Sequence, residues 1–136
     1  MLSQPIISDS RYDFIADING KLIKIQCKTA HPEKNDIISI TTSSKNWNNG
    51  IRHYYKEDID YFYTYYNNQS YLLPINIISD KQRNKNIRLG KKEQYHSNNL
   101  NAIYGDDYTL EKILEQDFNY VAEKAMVEDM KFHQRT

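Results

Sequence analysis

The chain has 136 residues, eighteen basic and eighteen acidic side chains, 39% hydrophobic residues, four glycines and three prolines. This sets a single domain, 1–136, and excludes a disordered or collagen-like chain. No stretch approaches the eighteen or so apolar residues of a membrane span, the first nine residues are no secretory leader, and a lone Cys27 cannot build a disulfide framework or a multi-cysteine zinc site, so a cytoplasmic protein is expected.

Residues 12–18 alternate, with Tyr12, Phe14, Ala16 and Ile18 on one side and Asp13, Ile15 and Asp17 on the other. Asn19-Gly20 follows, a strong hairpin signal because both residues tolerate positive φ. Residues 21–29 alternate again, with Ile23, Ile25 and Cys27 against Leu22, Lys24, Gln26 and Lys28. Further strands are expected at 37–41, 61–66 and 71–75, with turns at the asparagine pairs Asn48-Asn49, Asn67-Asn68 and Asn98-Asn99. The 43–60 stretch reads as loop with a short helical turn at 56–60. In it, Trp47 either reaches a DNA groove or anchors the loop to the core. Leu110, Ile113, Leu114, Phe118, Val121, Ala125 and Met126 recur at helical spacing and predict one helix over 109–131, capped by Asp107 or Thr109. The expected class is mixed α/β with an antiparallel N-terminal hairpin and a long C-terminal helix.

Charge is unevenly spread. Residues 106–130 hold eight acids and two bases, a net of −6, whereas 1–105 hold fourteen bases and ten acids, a net of +4. Lys81, Arg83, Lys85, Arg88, Lys91 and Lys92 form a run without an acid, expected as a basic loop over 81–92 and as the nucleic-acid-binding surface. A solvated loop is the plainer reading of such a run. Tyr61, Tyr63 and Tyr65 either stack on bases or form a partly buried aromatic strand, and the second is simpler. His31, His53, His96 and His133 show no metal-ligand spacing.

A two-residue loop at Asn19-Gly20 pairs Ile18 with Lys21, so paired positions sum to 39 and Asp13 stands opposite Gln26, with Lys28 one step along that face. The apolar sets of both strands then share the other face, and a one-residue slip would bury the charges. Asp13 offers a hard oxygen for Mg2+ or Mn2+, Gln26 an amide oxygen and Cys27 its backbone carbonyl, while Lys28 can orient the attacking water and stabilise developing phosphorane charge. An ordinary polar outer face of a hairpin looks the same on geometry alone.

Tyr12-Asp13-Phe14-Ile15-Ala16-Asp17 followed by Lys24-Ile25-Gln26-Cys27-Lys28-Thr29-Ala30 resembles the core of PD-(D/E)xK nucleases, closest to the branch in which Gln replaces the acid, as in group I intron-associated homing endonucleases. Holliday-junction resolvases are more distant. The segments 55–62, 71–75 and 86–89 resemble the strands that follow, so the resemblance covers a core of about 10–90. It implies a restriction-endonuclease-like mixed sheet, with Asp13, Gln26 and Lys28 at the catalytic positions, and Asp13, Gln26 and the Cys27 carbonyl as metal ligands. It implies a metal-dependent DNA endonuclease from a phage or mobile element, working as a homo-oligomer (dimer or tetramer) where both strands are cut. Relatives carry a helix with a glutamate before the motif, and residues 3–10 do not read as one. Glu111, Glu115 or Glu123 of the acidic helix, in the same or a neighbouring subunit, is the substitute to look for. The alternative is a catalytically degenerate protein that binds a protein partner, for example as an inhibitor of a nuclease or defence complex, through that helix.

Overall fold

Pairs of residues with positive φ set tight turns of the chain. Asn19 and Gly20 have φ of 54° and 82°, and Asn67 and Asn68 have 49° and 65°. Two consecutive positive φ values give the tight turn whose twist matches antiparallel strands. The computed structural model describes residues 2–3, 13–46, 50–53, 58–79, 82–95 and 102–119. In it, β1 (Leu2–Ser3), β2 (Phe14–Ile18), β3 (Lys21–Cys27), β4 (His31–Glu33), β5 (Ile37–Thr41), β6 (Ser43–Asn46), β7 (Gly50–His53), β8 (Tyr61–Tyr66), β9 (Gln69–Pro74), β10 (Asn84–Arg88), β11 (Ala102–Tyr104) and α1 (Leu110–Phe118) follow in order.

One sheet runs β1-β2-β3-β8-β9 and a second β11-β10-β5-β4, while β6 and β7 form a separate hairpin. The β2–β3 register sums to 39 as the turn dictates, from Ile18↔Lys21 to Phe14↔Ile25. β3 and β8 are parallel, Gln26 beside Phe62 and Cys27 beside Tyr63. Asp60 fixes that pairing: its amide donates to the Lys24 carbonyl at 2.9 Å, and its carboxylate accepts the Lys24 amide at 2.8 Å.

The two faces of the first sheet have different covers. Ala16, Ile18, Ile23, Ile25, Tyr61 and Leu72 pack against Leu110, Ile113, Leu114 and Phe118 of α1. Phe62, Tyr71 and Leu73, from the other face, pack against Ile38, Ile40 and Ile87 of the second sheet. The interior strand β8 is therefore apolar on both sides, which is why an aromatic run rather than an alternating one marks it. Tyr61 and Tyr63 belong to this packing, and their hydroxyls bond Asp117 at 2.6 Å and Ser70 at 2.9 Å.

Four expectations need correction. The 43–60 stretch is not loop, for it contains the β6–β7 hairpin, whose polar strands lack an apolar alternation; residues 58–60 are irregular rather than helical, and Trp47 lies outside the described residues. Within the basic 81–92 segment, 84–88 is not loop but β10, which pairs with β5 on one side and β11 on the other. The helix starts at its Thr109 cap but ends at Phe118, because Asn119 takes a left-handed φ of 49°. The Asn19 side chain donates to the Phe118 carbonyl at 3.1 Å, tying the hairpin turn to that helix end. Residues 120–131 lie outside the described residues.

Burial first, then the bond to Asp117, raises the Tyr61 hydroxyl above its ordinary range. A group raised on folding stabilises the fold fully below its unfolded pKa and loses that contribution as pH rises through its folded one. Tyr61→Phe should cost about 1 kcal/mol near neutrality. The gap from the parent, measured by denaturant unfolding across pH, should close above pH ~10. Tyr71 and Tyr108, which burial also raises, are common to both chains and cancel. A pH-independent gap would contradict the assignment.

Candidate active site

The β2–β3 ladder stops at Phe14↔Ile25, and the next residue departs from it. The Asp13 amide donates to the Ile25 carbonyl at 2.8 Å, so Asp13 and Phe14 are both set against Ile25 in the manner of a β-bulge. The Asp13 carboxylate then takes the place of the missing rung and accepts the Cys27 amide at 3.0 Å. This modifies the expected geometry: Asp13 meets the Gln26–Cys27 stretch through its side chain rather than by direct strand pairing.

On the other side of β3, the Lys28 amide donates to the Tyr63 carbonyl at 2.8 Å and the Thr64 hydroxyl to the Lys28 carbonyl at 2.7 Å. Amides along a strand alternate between its two edges, and each residue's carbonyl points with its amide. Cys27 therefore directs its carbonyl to the same edge as the Asp13 carboxylate. Gln26, across from Phe62, lies on the sheet face opposite α1. The Lys28 ammonium reaches the Ser43 carbonyl at 3.5 Å, just beyond β5. Asp13, Gln26, Cys27 and Lys28 are all half-buried, as suits groups that are held and yet reachable.

These residues fit a hard divalent cation in part. A carboxylate has about four acceptor positions, so one amide bond leaves Asp13 room for a cation. An amide oxygen and a backbone carbonyl add neutral hard donors. Burial first, then the Asp13 charge, pushes the Cys27 thiol up to about 12, which favours its neutral form. Among the described residues no group of three His, Cys, Asp or Glu side chains gathers. Among the described residues, α1 brings no acid to Asp13. Glu111 accepts from the Gln69 side chain at 3.2 Å, on β9, Glu115 sits exposed on α1, which packs on the face away from Gln26, and Glu123 lies outside the described residues. A cleft of about 360 Å³ beside α1, bounded by Lys21, Asp60, Tyr61 and Asp117, contains none of the trio.

The basic run divides. Lys85 is buried, its ammonium bonded to the Ile77 carbonyl at 3.2 Å, and Arg88 is buried between the rings of Tyr95 and Tyr104 at 4.9 and 5.3 Å. Neither lies on the exposed surface expected of it. Arg83, Lys91 and Lys92 are exposed, and Lys81 lies outside the described residues. Sequence reasoning missed Thr64, although it is the one residue of the 61–66 run without an aromatic ring.

The model of a family described as PD-(D/E)XK endonuclease matches residues 1–111. The chain belongs to this family. A solved structure of a bacterial homing endonuclease, I-Ssp6803I, is similar with a TM-score of 0.63 at 18% identity, over 90% of this chain and 84% of that one. At that identity the likeness concerns the fold, which is restriction-endonuclease-like. The search of curated proteins returns no match. Among the described residues, no helix is long and apolar enough to cross a membrane.

Thr64 is fully buried, and its hydroxyl is a fixed support for Lys28. Thr64→Val fills the same space and removes the bond. It should lower stability by about 1–3 kcal/mol in chemical denaturation. Unfolding at the parent's midpoint would show that the bond contributes nothing.

Proposed function

We propose that the chain is a metal-dependent endonuclease that hydrolyses DNA phosphodiesters, from a phage or mobile element, with Asp13, Gln26 and Lys28 as its working groups. The observation that carries this reading is the bond from the Cys27 amide to the Asp13 carboxylate, because it gathers a carboxylate, a backbone carbonyl and the QxK strand at one open end of a sheet. Asp13, Gln26 and the Cys27 carbonyl would hold Mg2+ or Mn2+. Such an ion, when bound, polarises the phosphoryl oxygens and makes water a better nucleophile at neutral pH. Lys28, anchored through its amide to Tyr63 and its carbonyl to Thr64, orients the water and stabilises the negative charge that builds on phosphorus. Cutting both strands in one encounter takes two such sites, hence a dimer or tetramer.

A second reading is favoured by one observation: among the described residues, no group of three His, Cys, Asp or Glu side chains gathers at Asp13. In it, the fold binds a protein partner or DNA without cutting, and the acidic C-terminal segment carries the partner contact.

Asp13→Asn separates the two readings better than alanine does, because the amide oxygen still accepts the Cys27 amide while the charge is gone. Purified protein should nick supercoiled DNA in Mg2+ or Mn2+. Asp13→Asn should lose nicking by at least about a hundredfold, the scale of removing a group that stabilises the transition state, while folding and DNA affinity persist. Lys28→Ala should lose nicking with metal affinity little changed. Nicking that survives Asp13→Asn, or a parent that binds no metal and nicks neither supercoiled nor branched DNA, would leave the binding reading.

A further inference from the structure

Four basic side chains of the 81–92 run do not stand beside Lys28. Lys85 and Arg88 are buried in their own contacts, and Lys91 and Lys92 follow the far end of β10. Arg83 differs from them. It is exposed and precedes β10 where that strand meets the end of β5, with Asn84 paired to Thr41. The Thr42 amide donates to the Arg83 carbonyl at 2.7 Å, and the Thr42 hydroxyl donates to the Gln82 carbonyl at 2.9 Å. Thr42 is 1% exposed, so this anchor is buried and fixed. The next residue, Ser43, presents the carbonyl that meets the Lys28 ammonium.

Two bonds thus hold the backbone of Gln82 and Arg83 to the neighbour of the residue that Lys28 touches. Consecutive Cα atoms are about 3.8 Å apart, so the Arg83 backbone lies on the order of 10 Å from the Lys28 ammonium. An exposed arginine there has the span of a few phosphates, which follow one another about every 3.4 Å of helix axis on each strand. Its planar fork matches a phosphate bidentately, which a lysine cannot do.

We infer that Arg83 grips a backbone phosphate adjacent to the one facing Lys28, and so sets where the DNA strand lies across the site. The inference rests on the nuclease reading of Asp13, Gln26 and Lys28. Arg83 is a substrate-positioning residue in it, not a group at the reacting atoms.

The test compares Arg83→Gln, Arg83→Lys and Lys112→Gln, the last a charge removal on α1, where Lys112 pairs with Asp107 at 3.6 Å. Affinity for a labelled DNA duplex is followed over a salt series, alongside nicking kinetics and thermal melting. Arg83→Gln should weaken binding about tenfold, as for a charged hydrogen bond. It should reduce the salt slope by about 0.9 and raise KM with little change in kcat. Arg83→Lys should restore the slope and only part of the affinity, and Lys112→Gln should match the parent. Wild-type affinity and slope in a folded Arg83→Gln would overturn the inference, and if nicking persists it does so without touching the nuclease reading. A parent that binds DNA through Arg83 and never nicks supports the contact and removes the nuclease reading. A parent that neither binds nor nicks overturns both.

Discussion

The hydrogen bond from the Cys27 amide to the Asp13 carboxylate closes the open end of the β2–β3 ladder, and the arrangement of the trio depends on it. Where the strand pairing ends, an unpaired amide and an unpaired carboxylate would each cost free energy if buried apart. Satisfying one with the other brings a carboxylate to the QxK strand through a backbone amide. The same bond leaves part of the carboxylate's acceptor capacity unused, which is what a cation site needs. Structural support and chemical readiness thus come from one contact.

The rest of the fold holds that contact still. β8 runs beside β3 in parallel, and its Tyr63 and Thr64 grip Lys28 from the edge opposite Asp13. β8 is covered on one face by α1 and on the other by the second sheet. A strand packed on both faces has little freedom to shift, so the Lys28 backbone is fixed to within the play of a close-packed interior. Just past β5 of the second sheet, Ser43 meets the Lys28 ammonium and Thr42 holds the Arg83 backbone nearby. Gln26 consequently lies on the face that packs on the second sheet, not on the helix.

The hairpin was legible in the sequence because two signals agree there: a period of two on both strands and an Asn-Gly turn that fixes the register. The bulge at Asp13 was not, since the apolar and polar residues of 12–18 alternate without a break in the sequence and only the hydrogen bonds reveal it. The parallel pairing of β3 with β8 was equally hidden, because it joins segments separated by more than thirty residues, with another sheet's strands between. Charge counting misled at Lys85 and Arg88, whose long stems and cationic heads found a carbonyl and two tyrosine rings inside the fold. Apolar periodicity overran the helix at Asn119, where a single left-handed residue outweighs a pattern that continues. The trio itself was readable only as a resemblance joined to the register, since either alone describes many hairpins.

The most direct measurement of the central claim uses Mn2+ as a paramagnetic probe in solution, with backbone amide resonances as the detectors. Titration into the folded protein should broaden the amides of Asp13, Gln26, Cys27 and Lys28 first, and Asp13→Asn should abolish that selective broadening. Broadening centred on the acids of α1, or equal in the parent and Asp13→Asn, would contradict a metal site built on the Asp13–Cys27 contact.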